Sequence, residues 1–229
     1  MKLLHIIATP RGEESSTLKV TNTFFEGLEE NNPDCRVDTL DVTKEKLPPM
    51  TVKAVNGKYI LLGGKGLPDD LKPAWKDIIK HIERFLSADG YVISAPMWNF
   101  SIPYYLKHYI DVILQPKYLF RYTEKGAEGL VKNKKMVVIT SRGGDYSPES
   151  PAHAYDLQEP YIRTVFGLAG IIDITFINSQ PMDALGPDVQ KEKIKEAQEI
   201  ARKLGEKFFA PQKSVRHQVK LNRQPANFT

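Results

Sequence analysis

The sequence predicts an α/β domain built on a five-stranded parallel sheet with helices on both faces, and three observations carry that expectation. Short apolar runs, nearly continuous rather than alternating, occur at residues 2–8, 91–95 and 135–141, as strands covered on both faces require. Amphipathic helical patterns separate the strands, the order expected when parallel neighbours are joined by crossover helices. Each of the three runs ends in a loop rich in Gly, Pro, hydroxyl or aromatic residues, and open α/β sheets bind ligands beyond the carboxyl ends of their strands.

The chain has 229 residues, 41% hydrophobic and 26% charged, which suits one domain with a full core. We expect that domain to occupy residues 1–210. No apolar run reaches the roughly 20 residues of a membrane span. The start, from Met1 to Ala8, has too short an apolar run for a secretory leader, and no cleavage site follows it. Cys35 is the only cysteine, which excludes an internal disulfide and fits a reducing cytoplasm. The formal net charge of +4 could favour anionic ligands, but it does not by itself indicate nucleic-acid binding. Much of the excess lies in residues 211–229, with Lys213, Arg216, Lys220 and Arg223, which read as a basic tail, flexible or bound to a partner.

In the first strand, residues 2–8, His5 reads as a core or strand-edge histidine, since no other metal-type residue is paired with it. The loop from Thr9 to Glu14 holds Arg11 and Gly12. Ser15, Ser16 and Thr17 then precede Leu18, Val20, Phe24, Phe25 and Leu28 at helical spacing. Those hydroxyls are good N-cap residues. A strand, a loop with Arg and Gly, and hydroxyls at a helix start together make an anion site, with phosphate the obvious ligand. The same residues would equally cap an ordinary amphipathic helix. There is no G-x-G-x-x-G and no Walker A sequence, which disfavours dinucleotide or P-loop triphosphate binding.

Residues 35–42 alternate Val37, Leu40 and Val42 with polar residues and predict an edge strand. Residues 44–68, with Pro48-Pro49 and four glycines, show little periodicity and read as a long connection. Within it, Gly63-Gly64-Lys65-Gly66 reads as a flexible turn, because no capping hydroxyl follows. From Asp69 or Asp70, the spacing of Leu71, Trp75, Ile78, Ile79, Ile82, Phe85 and Leu86 predicts an amphipathic helix with acids at its start.

The third strand stops at Pro96, and Met97, Trp98, Asn99 and Phe100 follow. Met97, Trp98 and Phe100 offer polarisable and apolar surface, while Asn99 donates and accepts at once. They suit a flat aromatic ligand, or they simply close the core. Ile102, Tyr105, Leu106, Tyr109 and Ile113 continue as a helix with Pro103 in its first turn. Residues 116–133 carry Phe120, Tyr122 and two glycines and read as an excursion such as a hairpin. Residues 135–141 form the fourth strand, ending in Ser141-Arg142-Gly143-Gly144, where glycine lets backbone N–H groups approach a ligand. A helix through Leu157, Tyr161 and Val165 stops near Gly170, residues 171–177 form the fifth strand, and residues 188–209 form a closing helix. With strand order 2-1-3-4-5, the loops after strands one, three and four converge at the switch point of the sheet.

Residues 95–103 (APMWNFSIP), with Leu106-Lys107 and Tyr109-Ile110-Asp111, resemble the signature of the FMN-dependent NADH azoreductases, which are also quinone reductases. Phe120-Arg121-Tyr122-Thr123-Glu124, Gly126, Glu128-Gly129-Leu130 and residues 139–144 (ITSRGG) continue the likeness, which covers about residues 2–205. The resemblance implies a flavodoxin-like fold and bound FMN. It also implies NADH or NADPH as co-substrate, a quinone or azo acceptor, and a homodimer with its site at the subunit interface. By that likeness Arg11, Ser15, Ser16 and Thr17 hold the FMN phosphate. Pro96, Met97, Trp98, Asn99 and Phe100 line the isoalloxazine, and Ser141, Arg142, Gly143 and Gly144 contact its pyrimidine side. Trp98 stands where the family usually has Tyr. Phe120 and Tyr122 are either walls of the acceptor pocket or dimer-interface packing.

No side chain is expected to break a bond, since the flavin carries the chemistry. Backbone N–H groups of Gly143 and Gly144 are expected to favour negative charge near flavin N1. The alternative is a flavodoxin-type electron carrier that does not oxidise NAD(P)H itself, although such carriers usually dock through acidic surfaces and this chain is basic. A hydrolase using Ser101 or Ser141 lacks a G-x-S-x-G elbow. Nothing in the sequence supports nucleic-acid binding through the basic tail.

Overall fold

The computed structural model describes residues 1–210; the basic tail expected at residues 211–229 lies outside the described residues. Five parallel strands form the main sheet: β1 (Lys2–Ile7), β2 (Arg36–Asp41), β3 (Gly90–Ser94), β6 (Lys135–Ser141) and β7 (Asp173–Ser179). Their spatial order is β2-β1-β3-β6-β7, the predicted 2-1-3-4-5 once the two hairpin strands β4 (Phe120–Thr123) and β5 (Gly126–Gly129) are set aside. That hairpin is the excursion expected after residue 116.

Alternate strand residues feed two cores. Leu4, Ile6, Tyr91, Ile93, Met136 and Val138 meet helices α2 (Val52–Leu62), α3 (Lys72–Leu86), α4 (Tyr104–Ile113) and α5 (Gln158–Ala169). Leu3, Val92, Val137, Ile139 and Ile177 meet α1 (Ser16–Asn31) and α6 (Pro187–Lys207). Every residue of β3 is buried, as a central parallel strand covered on both faces must be.

Helices α1 and α6 touch backbone to backbone. A Cβ built on Gly27 would lie 2.3 Å from the Arg202 carbonyl oxygen, and one on Gly205 would lie 2.1 Å from the Phe24 carbonyl oxygen. Glycine at both positions lets the two helix axes approach closely. Arg202 then reaches across to Glu26 and Glu30, an exposed bridge that adds little.

Four elements differ from expectation. The long connection contains helix α2, capped by the Thr51 hydroxyl, which accepts a bond from Ala54 N at 3.3 Å. Only Ala54, Gly57 and Leu61 of α2 are buried, so its inward stripe carries almost no apolar signal. Gly57 is small because the Trp75 indole lies against it. Helix α3 begins at Lys72, and Asp69 and Asp70 lie in the turn before it. The fifth strand starts at Asp173 rather than residue 171: Gly170 ends α5 in the left-handed region (φ 103°), Ile171 packs into the core, and Lys135 pairs with Asp173. Pro103 is the residue before α4 rather than part of its first turn.

Candidate cofactor site

The loops after β1, β3 and β6 meet at the carboxyl edge of the sheet, as the strand order requires, and the loop after β7 joins them. They enclose a cavity of about 200 Å³. From the first loop it takes Thr9, Arg11, Ser15 and Ser16; from the second Pro96, Met97 and Trp98; from the third Ser141, Arg142 and Gly143. Thr17, Asn99, Phe100 and Gly144 lie next to it in sequence but not on its wall.

The first loop makes one short 3₁₀ turn, Gly12–Glu14, with Gly12 at φ 52°, before α1 begins. Ser15 is the N-cap: its hydroxyl accepts a bond from Leu18 N at 3.3 Å. The N–H groups of Ser16 and Thr17 have no acceptor inside the helix, so this end suits an anion. Arg11 is exposed at the rim, 4.0 Å from Glu14. The Thr17 side chain is fully buried, and its hydroxyl is 2.7 Å from that of Ser141. Below this pair a second polar group lies under α1. The Thr21 hydroxyl donates to Thr17 O at 2.9 Å and lies 2.7 Å from Ser94 Oγ, which is 2.8 Å from His5 Nε2. Burial lowers the His5 pKa to about 4, against a smaller upward effect of Asp41, so the ring is neutral at neutral pH.

The second loop is a tight reversal. Trp98 N donates to Ser101 O at 2.9 Å and Ser101 N donates to Trp98 O at 3.0 Å. Asn99 and Phe100 both have positive φ, 47° and 68°, the pattern of a type I′ turn. Asn suits that conformation, whereas a bulky residue there stores strain of roughly 1–2 kcal/mol. The turn holds Phe100 half-exposed between Tyr146 and Tyr155, at ring centroid distances of 6.2 Å and 5.5 Å. Asn99 faces a neighbouring hollow of about 410 Å³, shared with Trp98, Tyr104, Lys107 and Tyr161. Burial raises the Tyr161 pKa to about 12.

The third loop turns its one long side chain inward. The Arg142 side chain, only 1% exposed, points into the protein rather than the cavity. Its Nη1 donates to Asp156 Oδ2 at 2.8 Å, and its Nε donates to Thr140 Oγ1 and Gln158 Oε1 at 3.1 and 3.2 Å. The backbone of Arg142 is engaged too, its N–H donating to Ser179 O. Any ligand contact by Arg142 is therefore confined to its edge of the wall.

Sequence reasoning missed Asp156 and Gln158. Asp156 Oδ1 accepts from Gln158 N and Glu159 N at 2.9 and 3.1 Å, capping α5. Gln158 Nε2 donates to Ala95 O and Pro96 O, fixing the second loop to the third through Arg142. The Asp before the α5 pattern was a readable N-cap signal; Gln158 had none. Thr9 and the post-β7 residues Met182, Asp183 and Gln190 also line the cavity and were not singled out.

Phe120 and Tyr122 do not reach this cavity within one chain. Phe120 is buried in the hairpin opposite Gly129, and Gly129 lies against the Gly170 backbone at the far end of α5. Gln158, at the near end, is 12 helical residues away, roughly 18 Å along the axis. Tyr122 is 64% exposed.

The donor set fits a phosphate-bearing planar cofactor. A helix start with a rim arginine suits the phosphate, and Pro96, Met97 and Trp98 give a flat apolar wall. Gly143 lies on the wall, and the space a Cβ there would need is taken by Asp183 Oδ2, 2.8 Å away. Among the described residues no cluster of His, Cys, Asp or Glu could hold a metal ion, and no helix is long and apolar enough to cross a membrane.

Comparison with known proteins agrees with this geometry. A family described as having a Flavodoxin-like fold matches residues 1–204. An FMN-dependent NADH:quinone oxidoreductase of Nitratidesulfovibrio vulgaris is 39% identical over 206 residues, 90% of this chain and 99% of the relative. One from Clostridium perfringens is 41% identical over 208 residues, with the same coverage of both chains. A crystal structure of a Bacillus anthracis azoreductase superposes with a TM-score of 0.82 at 31% identity, covering 91% of this chain and all of that one. An FMN-dependent NADH-azoreductase from the same species, in complex with FMN, superposes with a TM-score of 0.76 at 28% identity, covering 89% of this chain and 99% of that one.

Proposed function

The chain belongs to the flavodoxin-like fold family, and on that premise we propose that it is an FMN-dependent NAD(P)H oxidoreductase that reduces quinones or azo compounds. The observation that carries this reading is the convergence of an anion-binding helix start, the Pro96–Trp98 wall and Gly143 on one cavity. Relatives named NADH:quinone oxidoreductases favour an enzyme over a carrier that leaves NAD(P)H untouched.

When bound, FMN supplies the two-electron chemistry between NAD(P)H and the acceptor. The protein's residues bind, orient and shield it. The α1 start, with Ser15 as cap, Ser16, and Arg11 at the rim, holds the phosphate. Thr17 acts by fixing that turn to Ser141. Pro96, Met97 and Trp98 present apolar surface to the ring, and the strained Asn99-Phe100 turn fixes Phe100 beside Tyr146 and Tyr155, where the aromatic group excludes water. Ser141 to Gly144 border the pyrimidine side, with Gly143 on the cavity wall. Gln158 and the Arg142–Asp156 pair keep these loops in register. No side chain is assigned a bond-breaking role.

The domain spans residues 1–210, and the reading places the enzyme in the reducing cytoplasm, where Cys35 stays a thiol. A homodimer gives the hairpin a role: Tyr122 faces outward and walls the acceptor pocket of a second copy, while Phe120 packs inside the hairpin's own subunit. Purified protein should show a flavin absorption spectrum and release a chromophore with the mass of FMN. It should oxidise NADH only with an acceptor, in a ping-pong pattern, because donor and acceptor use one face in turn. Colourless protein that takes up no FMN on reconstitution would overturn the reading, and yellow protein inert toward NADH would return it to a carrier.

A further inference from the structure

The cavity contains a carboxylate that the reading above leaves without a task. Asp183, in the loop after β7, lines the wall beside Arg142 and Gly143. The loop is held there by backbone bonds. The Gly143 carbonyl accepts from Met182 N, Asp183 N and Ala184 N at 3.2, 3.0 and 3.2 Å, and Arg142 O accepts from Met182 N at 2.9 Å. From α6, the Gln190 amide donates to Met182 O at 2.9 Å. The backbone of Asp183 is thereby held so that its exposed carboxylate lies over Gly143, with Oδ2 2.8 Å from where a Cβ there would stand. Asp183 is exposed, so solvent also reaches the carboxylate, and no hydrogen bond or ion pair within the described residues draws it away from the cavity wall.

Gly143 and Asp183 border the cavity together, and an ionised carboxylate only accepts hydrogen bonds. Resting on the FMN reading, we propose that Asp183 is a positioning residue for the cofactor, accepting a hydrogen bond from it, and that its charge lowers the cofactor's reduction potential. The physical reason is Coulombic: a reduced flavin deprotonated at N1 has one more negative charge than the oxidised form, and a fixed neighbouring carboxylate disfavours it. This opposes the sequence expectation that Gly143 and Gly144 N–H groups favour negative charge there.

The test compares wild type with Asp183→Asn and Asp183→Leu, each reconstituted with FMN, measuring the two-electron midpoint potential by equilibrium dye titration and the FMN dissociation constant by fluorescence. Both variants should favour the reduced cofactor about tenfold more than wild type does, a positive shift of about 30 mV for a two-electron couple. Asp183→Leu, which removes the acceptor, should also weaken FMN binding several-fold, and Asp183→Glu should restore the wild-type potential. Asp34→Asn, in the turn before β2 at the opposite edge of the sheet, should leave the potential where it is. FMN-loaded variants with the wild-type potential would overturn this assignment while leaving the FMN reading intact. Wild type that takes up no FMN would remove both.

Discussion

The hydroxyls of Thr17 and Ser141 lie 2.7 Å apart, 124 residues distant in sequence, and join the start of α1 to the end of β6. Thr17 is buried, so its hydroxyl has no water to replace Ser141. Ser141→Ala should cost about 1 kcal/mol, because it leaves the buried Thr17 hydroxyl unsatisfied, and Thr17→Val should cost less, because the half-buried Ser141 hydroxyl can turn to water. The double variant should cost less than the sum of the two, with a coupling of about 1 kcal/mol in urea unfolding. Additive costs would show that the pair is merely adjacent.

His5 predicts a specific acid sensitivity. Burial holds its folded pKa at about 4, below the ordinary imidazole value of 6.5. As pH falls, the unfolded chain therefore takes up the proton first. The contribution of neutral His5 is fully present above pH 6.5 and is lost as pH drops toward 4, at most roughly 3 kcal/mol. His5→Gln, which can still bond Ser94, should flatten that part of the stability profile measured by urea unfolding between pH 7 and 4. An unchanged slope would assign the acid sensitivity to other groups.

Arg142 and Asp156 are both almost fully buried and 2.8 Å apart. Arg142→Met leaves a carboxylate buried without its cation and should cost about 3–5 kcal/mol. Arg142→Met combined with Asp156→Asn should recover part of that loss. Thermal unfolding of the two variants distinguishes a paired charge from simple side-chain packing.

Phe100 reverses a common ranking. Alanine usually outranks glycine in a folded backbone, but at φ 68° any Cβ is strained. Phe100→Gly should therefore be more stable than Phe100→Ala by about 1 kcal/mol in urea unfolding. Alanine equal to or better than glycine would mean the turn relaxes once the ring is gone.

Much of this architecture could be read from the chain because burial leaves a period. Fully buried strands, the high-amplitude stripe of α3 and the Gly170 stop all announce themselves, and so do the three loops that line the cavity. Helix α2 did not, since Gly57 lies inward precisely to make room for Trp75 and contributes no apolar mark. The direction of Arg142 was not legible for a related reason: a place beside two loop glycines says nothing of which way a long side chain turns, and Asp156 and Gln158 turn it inward. Asp183 reaches the cavity through the loop after β7 and Gln190 from the first turn of α6, and no local pattern signals either approach. Phe120 and Tyr122 were legible as a hairpin but not as to which end of α5 it occupies.

The glycine contact between α1 and α6 bears on how the protein is made. Gly27 and Arg202 are 175 residues apart, so at roughly 5–20 residues per second the ribosome needs about 10–35 s to deliver the second after the first. Until then the outer side of α1, the helix whose start forms the anion site, has no covering partner. A nascent chain must therefore hold its cofactor-binding end half-built until translation is almost complete.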